Sequence, residues 1–104
     1  MRNFVEENER MKRKYVYHLE GADGLDAKTT DKILVAILKF EESTGFKPFK
    51  RFHIDQAVKF KTALSQAKNL RGQPLSHSTI DATLALVRKF FYWLAVQSGY
   101  PWRR

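Results

Sequence analysis

The chain has 104 residues, 43% of them hydrophobic, no cysteine, and 19 Lys and Arg against 11 Asp and Glu, a formal charge of +8. That length suits one domain with a single core, and the missing thiols rule out disulfides and thiolate metal sites. The basic excess points to a polyanionic partner, nucleic acid before an anionic membrane surface, against the plainer reading of a basic domain with no such partner.

Asn3 with Glu6 resembles a capping box, and Phe4, Met11, Tyr15 and Leu19 share one helical face. This predicts a first helix over residues 3 to 20, ended by Gly21 and Gly24, with Arg10, Lys12, Arg13 and Lys14 on a solvated side. Asp26 is placed to cap a second helix over 26 to 44, with Ile33, Leu34, Ile37 and Phe40 inward and Gly45 as terminator. Residues 45 to 53 read as a loop. Pro48 forbids a continuing helix, and Phe46, Phe49 and Phe52 are set to cover the edge of the core, although a basic aromatic loop also has the composition to stack on bases.

A third helix follows from 53 or 54 to 68, with Ile54, Ala57, Val58, Phe60 and Leu64 as its core side and Asp55 favouring the dipole. Residues 69 to 74 form a turn-rich linker centred on Gly72. The fourth helix, 76 to 98, is the most strongly marked. Ser76 is its N-cap, and Leu75 and Ile80 form a hydrophobic staple. Ile80, Leu84, Val87, Phe91 and Leu94 make an apolar stripe that Phe90 and Trp93 widen. Ser78, Asp81, Ala82, Ala85 and Lys89 occupy the small, polar opposite face, and Gly99 and Pro101 end the helix. Leu25, Thr29, Asp31, Leu34, Lys39 and Phe40 recur fifty positions later as Leu75, Thr79, Asp81, Leu84, Lys89 and Phe90. Whether duplication or shared helix-start chemistry produced the match, the second and fourth helices should present similar N-terminal ends. No alternating strand pattern occurs, so the chain reads as a compact all-α bundle.

Catalytic signatures are missing. His18, His53 and His77 have no second ligand at metal spacing, and there is no phosphate loop, nucleophile elbow or bracketing carboxylate pair. Tyr15, Tyr17, Tyr92 and Tyr100 read as core or edge aromatics. The expectation is a chain that is not an enzyme by itself and needs no cofactor. No apolar run reaches the roughly 20 residues of a membrane span. Nor does an apolar segment follow the N-terminus, so a cytoplasmic setting without membrane contact is expected.

Leu75-Ser76-His77-Ser78-Thr79-Ile80, followed by Leu84, by Val87 through Leu94 and by Gly99-Tyr100, resembles the last helix of the N-terminal core-binding domain of tyrosine recombinases. This is the SAM-like domain of phage integrases. The Leu25 to Phe40 segment and then Ile54 to Leu64 fit the family's order, and the resemblance extends from about Asn8 onward. It implies a four-helix orthogonal bundle that, with a separate catalytic domain, clamps the recombination site in double-stranded DNA. It also implies contacts with other recombinase subunits in the synaptic complex, with the isolated domain monomeric. The His-x-x-Arg signature of the catalytic domain is absent, so the chain is expected to be the DNA-gripping piece of a longer integrase.

In the family, the helices matching 26 to 44 and 76 to 98 approach the major groove. Carried over by position, this implicates Lys28, Lys32 and Lys39 with Ser76, His77, Ser78, Asp81 and Ala82, and adds Lys89 on the same outward face. Lysines suit phosphates, helix N-termini offer free N–H groups, and Ser78 and Ala82 leave room for close approach. Arg88 suits a phosphate or an ion pair equally, while Asp31 and Asp81 sit awkwardly for a DNA-facing surface. The rival readings are a SAM-like protein-interaction module and a helix-turn-helix regulator. The long loop before the fourth helix argues against the latter.

Overall fold

The structure is a computed structural model, and it describes residues 5–97 and 99–100. Among them the chain forms α1 (Glu6–Gly21), α2 (Ala27–Thr44), a short 3-10 turn (Phe49–Arg51), α3 (Ile54–Gln66) and α4 (His77–Ala95). The helices pack compactly, and the β feature among the described residues is an isolated antiparallel bridge between Lys68 and Pro74.

The helix starts of α2 and α4 follow from local chemistry. Asp26 Oδ1 accepts the Thr29 N–H at 2.9 Å, and Ser76 Oγ accepts the Thr79 N–H at 3.1 Å. Each satisfies one of the donors that a helix start leaves open. Leu25 and Leu75, one residue before each cap, are half-buried against the core. The fifty-residue echo in the sequence thus corresponds to two equivalent capped ends. Gly45 closes α2 with φ 73°, a left-handed conformation in which glycine has no Cβ to clash.

The linker before α4 is organised by Asn69. Its Oδ1 accepts from the N–H groups of Arg71 at 2.8 Å and Gln73 at 3.0 Å, and Gly72 turns with φ 77°. The resulting bridge from Lys68 to Pro74 ends α3 at Gln66, two residues before its predicted limit.

Helix α4 supplies the centre of the core. Phe90 and Leu94 are wholly buried, and Phe90 packs against Tyr15 with ring centroids 5.0 Å apart and against Phe49 at 5.2 Å. Phe91 meets Phe40 of α2 at 5.1 Å and Phe52 at 4.5 Å. The predicted stripe therefore holds, with Phe90 more buried than the residues on either side of it that defined the stripe. The predicted cover of the core edge holds for Phe49 and Phe52, while Phe46 does not join the residues packed on the core.

Five expectations need correction. Helix α1 begins at Glu6 behind an extended Val5 that makes no side-chain cap, and the capping box on Asn3 and the contact of Phe4 lie outside the described residues. Lys12, assigned to a solvated face, is only 8% exposed. On α3, Ile54 and Val58 are exposed, because the helix is rotated to bury Phe60 and Leu64 together with Gln56. Finally, α4 ends at Ala95, short of Gly99, and Tyr17 and Tyr92 are solvated while Tyr15 and Tyr100 are buried. Pro101 lies outside the described residues.

Lys12 belongs to a buried polar network. Its Nζ lies 2.6 Å from Glu41 Oε1 and 2.8 Å from Glu9 Oε2. Glu41 and Asn8 are fully buried. The Asn8 amide donates to the Lys47 carbonyl at 3.0 Å and lies 3.4 Å from Glu41 Oε2, while its carbonyl accepts the Phe49 N–H at 2.9 Å. A second tie joins the start of α1 to Tyr100, beyond the end of α4. The Tyr100 hydroxyl donates to Glu7 Oε2 at 3.0 Å, and Arg10 pairs with the same carboxylate at 2.9 Å.

Two expected outcomes follow. Glu41→Ala leaves the Lys12 ammonium with Glu9 as its one remaining carboxylate partner and should cost about 3 kcal/mol in denaturant unfolding, the low end for breaking a buried pair, whereas Lys12→Met with Glu41→Leu should recover most of it. The second concerns pH. Burial pushes the Glu7 carboxyl up, but hydrogen bonds from Arg10 and Tyr100, aided by the charges of Arg10 and Lys50, outweigh it and hold the group below its ordinary value of 4.5. Burial, then the hydrogen bond and charge of Glu7, push the Tyr100 phenol above its ordinary 10.0. A depressed carboxyl stabilises above the unfolded value, and that share is lost as pH falls through the native one. A raised phenol stabilises below 10.0 and loses its share as pH climbs past it. Thermal melts of Tyr100→Phe should therefore show lower stability at neutral pH with a flatter acid limb and a flatter alkaline limb.

Candidate nucleic-acid interface

Helices α2 and α4 pack side by side, and a shallow cleft of about 240 Å³ runs between them. From α2 it is lined by Lys32, Val35, Ala36 and Lys39, and from α4 by Thr79, Ala82, Thr83 and Leu86. Lys28, Lys32 and Lys39 stand at i, i+4 and i+11, so they form one exposed stripe. On α4, Ser78, Ala82 and Lys89 repeat that spacing fifty positions later and are also exposed. One wall is long and cationic, and the facing wall is built of small side chains.

The nine residues singled out from sequence are all exposed, but the fold sorts them. Lys32, Lys39 and Ala82 share the cleft, and Lys28, Ser78 and Lys89 continue its two helical faces. Ser76 is committed locally: besides accepting from the Thr79 N–H, its hydroxyl donates to Thr79 Oγ1 at 3.0 Å. His77 occupies the first turn of α4. Arg88 is elsewhere, lining a separate groove between α3 and α4 on the other flank of the helix.

The aspartates that sat awkwardly in sequence are both outside the lining, which contains no carboxylate. Asp26, at the start of α2, does interact with the charge of Lys32 in that lining. Hydrogen bonds from the Thr29 backbone and side chain, with the Lys32 charge adding to them, hold its carboxyl below the ordinary value of 3.8. It is therefore charged at neutral pH and lends α2 a fixed negative cap.

Among the described residues no group of three His, Cys, Asp or Glu is placed to hold a metal ion, and no helix is long and apolar enough to cross a membrane. What the arrangement offers is a row of lysine charge on α2 beside the mostly small side chains of α4. Sequence reasoning missed the buried Asn8, Lys12 and Glu41. Their signal was present, since Asn8, Lys12, Tyr15 and Leu19 keep helical spacing, and Glu41 stands four residues after Ile37.

No family model matches the chain, and neither the curated proteins nor the solved structures yield a match.

The capping role of Ser76 has a direct consequence. Ser76→Ala should lower stability by about 1 kcal/mol in chemical denaturation, and Ser78→Ala, with no such bond to lose, should leave the midpoint unchanged.

Proposed function

We propose that this chain is the DNA-binding domain of a site-specific tyrosine recombinase of the phage-integrase type, gripping duplex DNA through the α2–α4 face. The observation that carries the reading is the pair of equally spaced stripes, Lys28, Lys32 and Lys39 beside Ser78, Ala82 and Lys89, flanking a cleft without carboxylates. The resemblance of residues 75 to 100 to the family's last core-binding helix supplies the class, and the compact four-helix bundle is the architecture that class requires.

The lysine stripe spans about 16 Å of helix at 1.5 Å per residue, enough to follow several successive phosphates of one strand. Those contacts give affinity and register without reading sequence. Ser78 and Ala82 let the backbone of α4 come close to a groove, where a serine hydroxyl meets a base edge and an alanine methyl meets a thymine methyl. On this reading the cleft grips DNA, and strand cleavage would be the work of the recombinase's catalytic domain. The parent recombinase would act on cytoplasmic DNA in company with further subunits.

Duplex titrations by anisotropy test this. Binding should weaken steeply between low and moderate salt, and Lys28→Ala with Lys32→Ala should weaken it for all sequences, taking about 0.9 off the log–log salt slope per lost phosphate contact. Affinity indifferent to salt, or a double variant that binds like the parent with the same slope, would refute the α2–α4 site.

A further inference from the structure

The second flank of α4 carries its own unexplained surface. A groove of about 760 Å³ separates it from α3, with Phe52 and Phe91 lining it from the core side. Ile54, Val58 and Tyr92 also line it, yet they are 71%, 59% and 68% exposed. Three large apolar side chains converging on one concave surface are costly to leave in water, and no other described residue covers them. Two cations edge the groove, Lys61 from α3 and Arg88 from α4, and its lining contains no carboxylate. Neither cation pairs with an acid among the described residues.

We propose that this groove docks an acidic amphipathic helix of a partner protein, which seats apolar anchors between Ile54, Val58 and Tyr92 and sets carboxylates against Lys61 and Arg88. The shape favours a helix. Ile54, Val58 and Lys61 recur at i, i+4 and i+7 along one wall, and Leu84, Arg88, Phe91 and Ala95 at i, i+4, i+7 and i+11 along the other. Such walls accept anchors repeating every three or four residues over about three turns. A peptide adding as a β-strand would need a sheet edge, and the described residues contain no sheet. Charge selects the partner. Two uncompensated cations on a chain of +8 repel a second copy and attract an acidic segment. The groove and the lysine cleft lie on opposite flanks of α4, so both can be occupied at once.

The probe is a fluorescent synthetic peptide of about 16 residues, roughly four turns, with Leu at i, i+3/i+4 and i+7 and Glu on the flanking positions. Saturable binding to the full chain is expected, with amide shifts in NMR confined to α3, α4 and the Phe52 turn. Val58→Ser, at an exposed site, should weaken binding about tenfold, equivalent to about 1.4 kcal/mol. Lys61→Glu should weaken the Glu peptide and strengthen its Lys counterpart. Equal affinity for a scrambled peptide, indifference to Val58→Ser, or sedimentation showing that a dimer abolished by Val58→Ser already fills the groove would overturn the proposal. The Lys28→Ala/Lys32→Ala variant keeps the two readings apart, because it should lose DNA and retain the peptide.

Discussion

A carboxylate with no exposed surface organises this fold. Glu41 sits near the end of α2, where a charge without partners would cost several kcal/mol. Lys12 reaches it from α1, and Asn8, one turn earlier, joins the same network and also holds the backbone of Lys47 and Phe49. These bonds fix the rotation of α1 and the entry of the chain into the 3-10 turn together. With Phe49 so held, its ring packs on both Phe90 and Phe91, and Tyr15, on the same face of α1 as Lys12, reaches Phe90 from the other side. The position of α4, and with it both exposed flanks, depends on this interior pair. Apolar packing alone would hold α1 against the bundle with far less control over its rotation.

The sequence was most legible where local chemistry acts alone. Asp26, Ser76, Gly45 and the Asn69 linker announce themselves by residue type, because caps and turns need particular side chains or conformations. Periodicity found the α4 core for a similar reason, since Phe90, Phe91 and Leu94 have no other way to leave water. It failed on α3. Ile54 and Val58 have the spacing of core residues, but α3 has two apolar edges and only one can face the bundle. Phe60 and Leu64 offer more area, and Gln56 goes in with them. Burial of Lys12 was illegible for another reason: a basic residue in a run of basic residues reads as solvated unless its partner, 29 positions away, is known.

The candidate site was legible as residue types but not as a surface. Nine positions marked from sequence turn out to occupy different places, and the fold distinguishes them by helix rotation. Helix α4 turns its most buried side to the bundle, which leaves Ala82 on one flank and Arg88 on the other. One amphipathic stripe therefore generates two unlike edges, a small-residue edge beside lysines and an apolar edge beside α3. Because their shared helix is clamped through Phe90 and Leu94, ligands on the two edges would meet a common rigid support. Neither would have to order the scaffold on binding, which removes one of the usual costs of association.

The two capped helix starts, alike in bonding, differ in charge, and this bears on how the proposed DNA face works. Each cap occupies one of the N–H groups that a helix start offers to anions. At α2 the capping atom belongs to an ionised carboxylate, held in that state by Thr29 and Lys32. A phosphate approaching there meets a negative charge that offsets the dipole, so α2 must act through its lysine side chains farther along. At α4 the cap is a neutral serine, and the first-turn N–H groups of His77 and Ser78 keep the full positive end of the dipole. On the proposed reading, the phosphate backbone is thus met by side-chain charge from α2 and by main-chain donors from α4. Truncating lysines probes only the first of these, and an acidic cap placed at Ser76 would oppose the second while preserving the helix start.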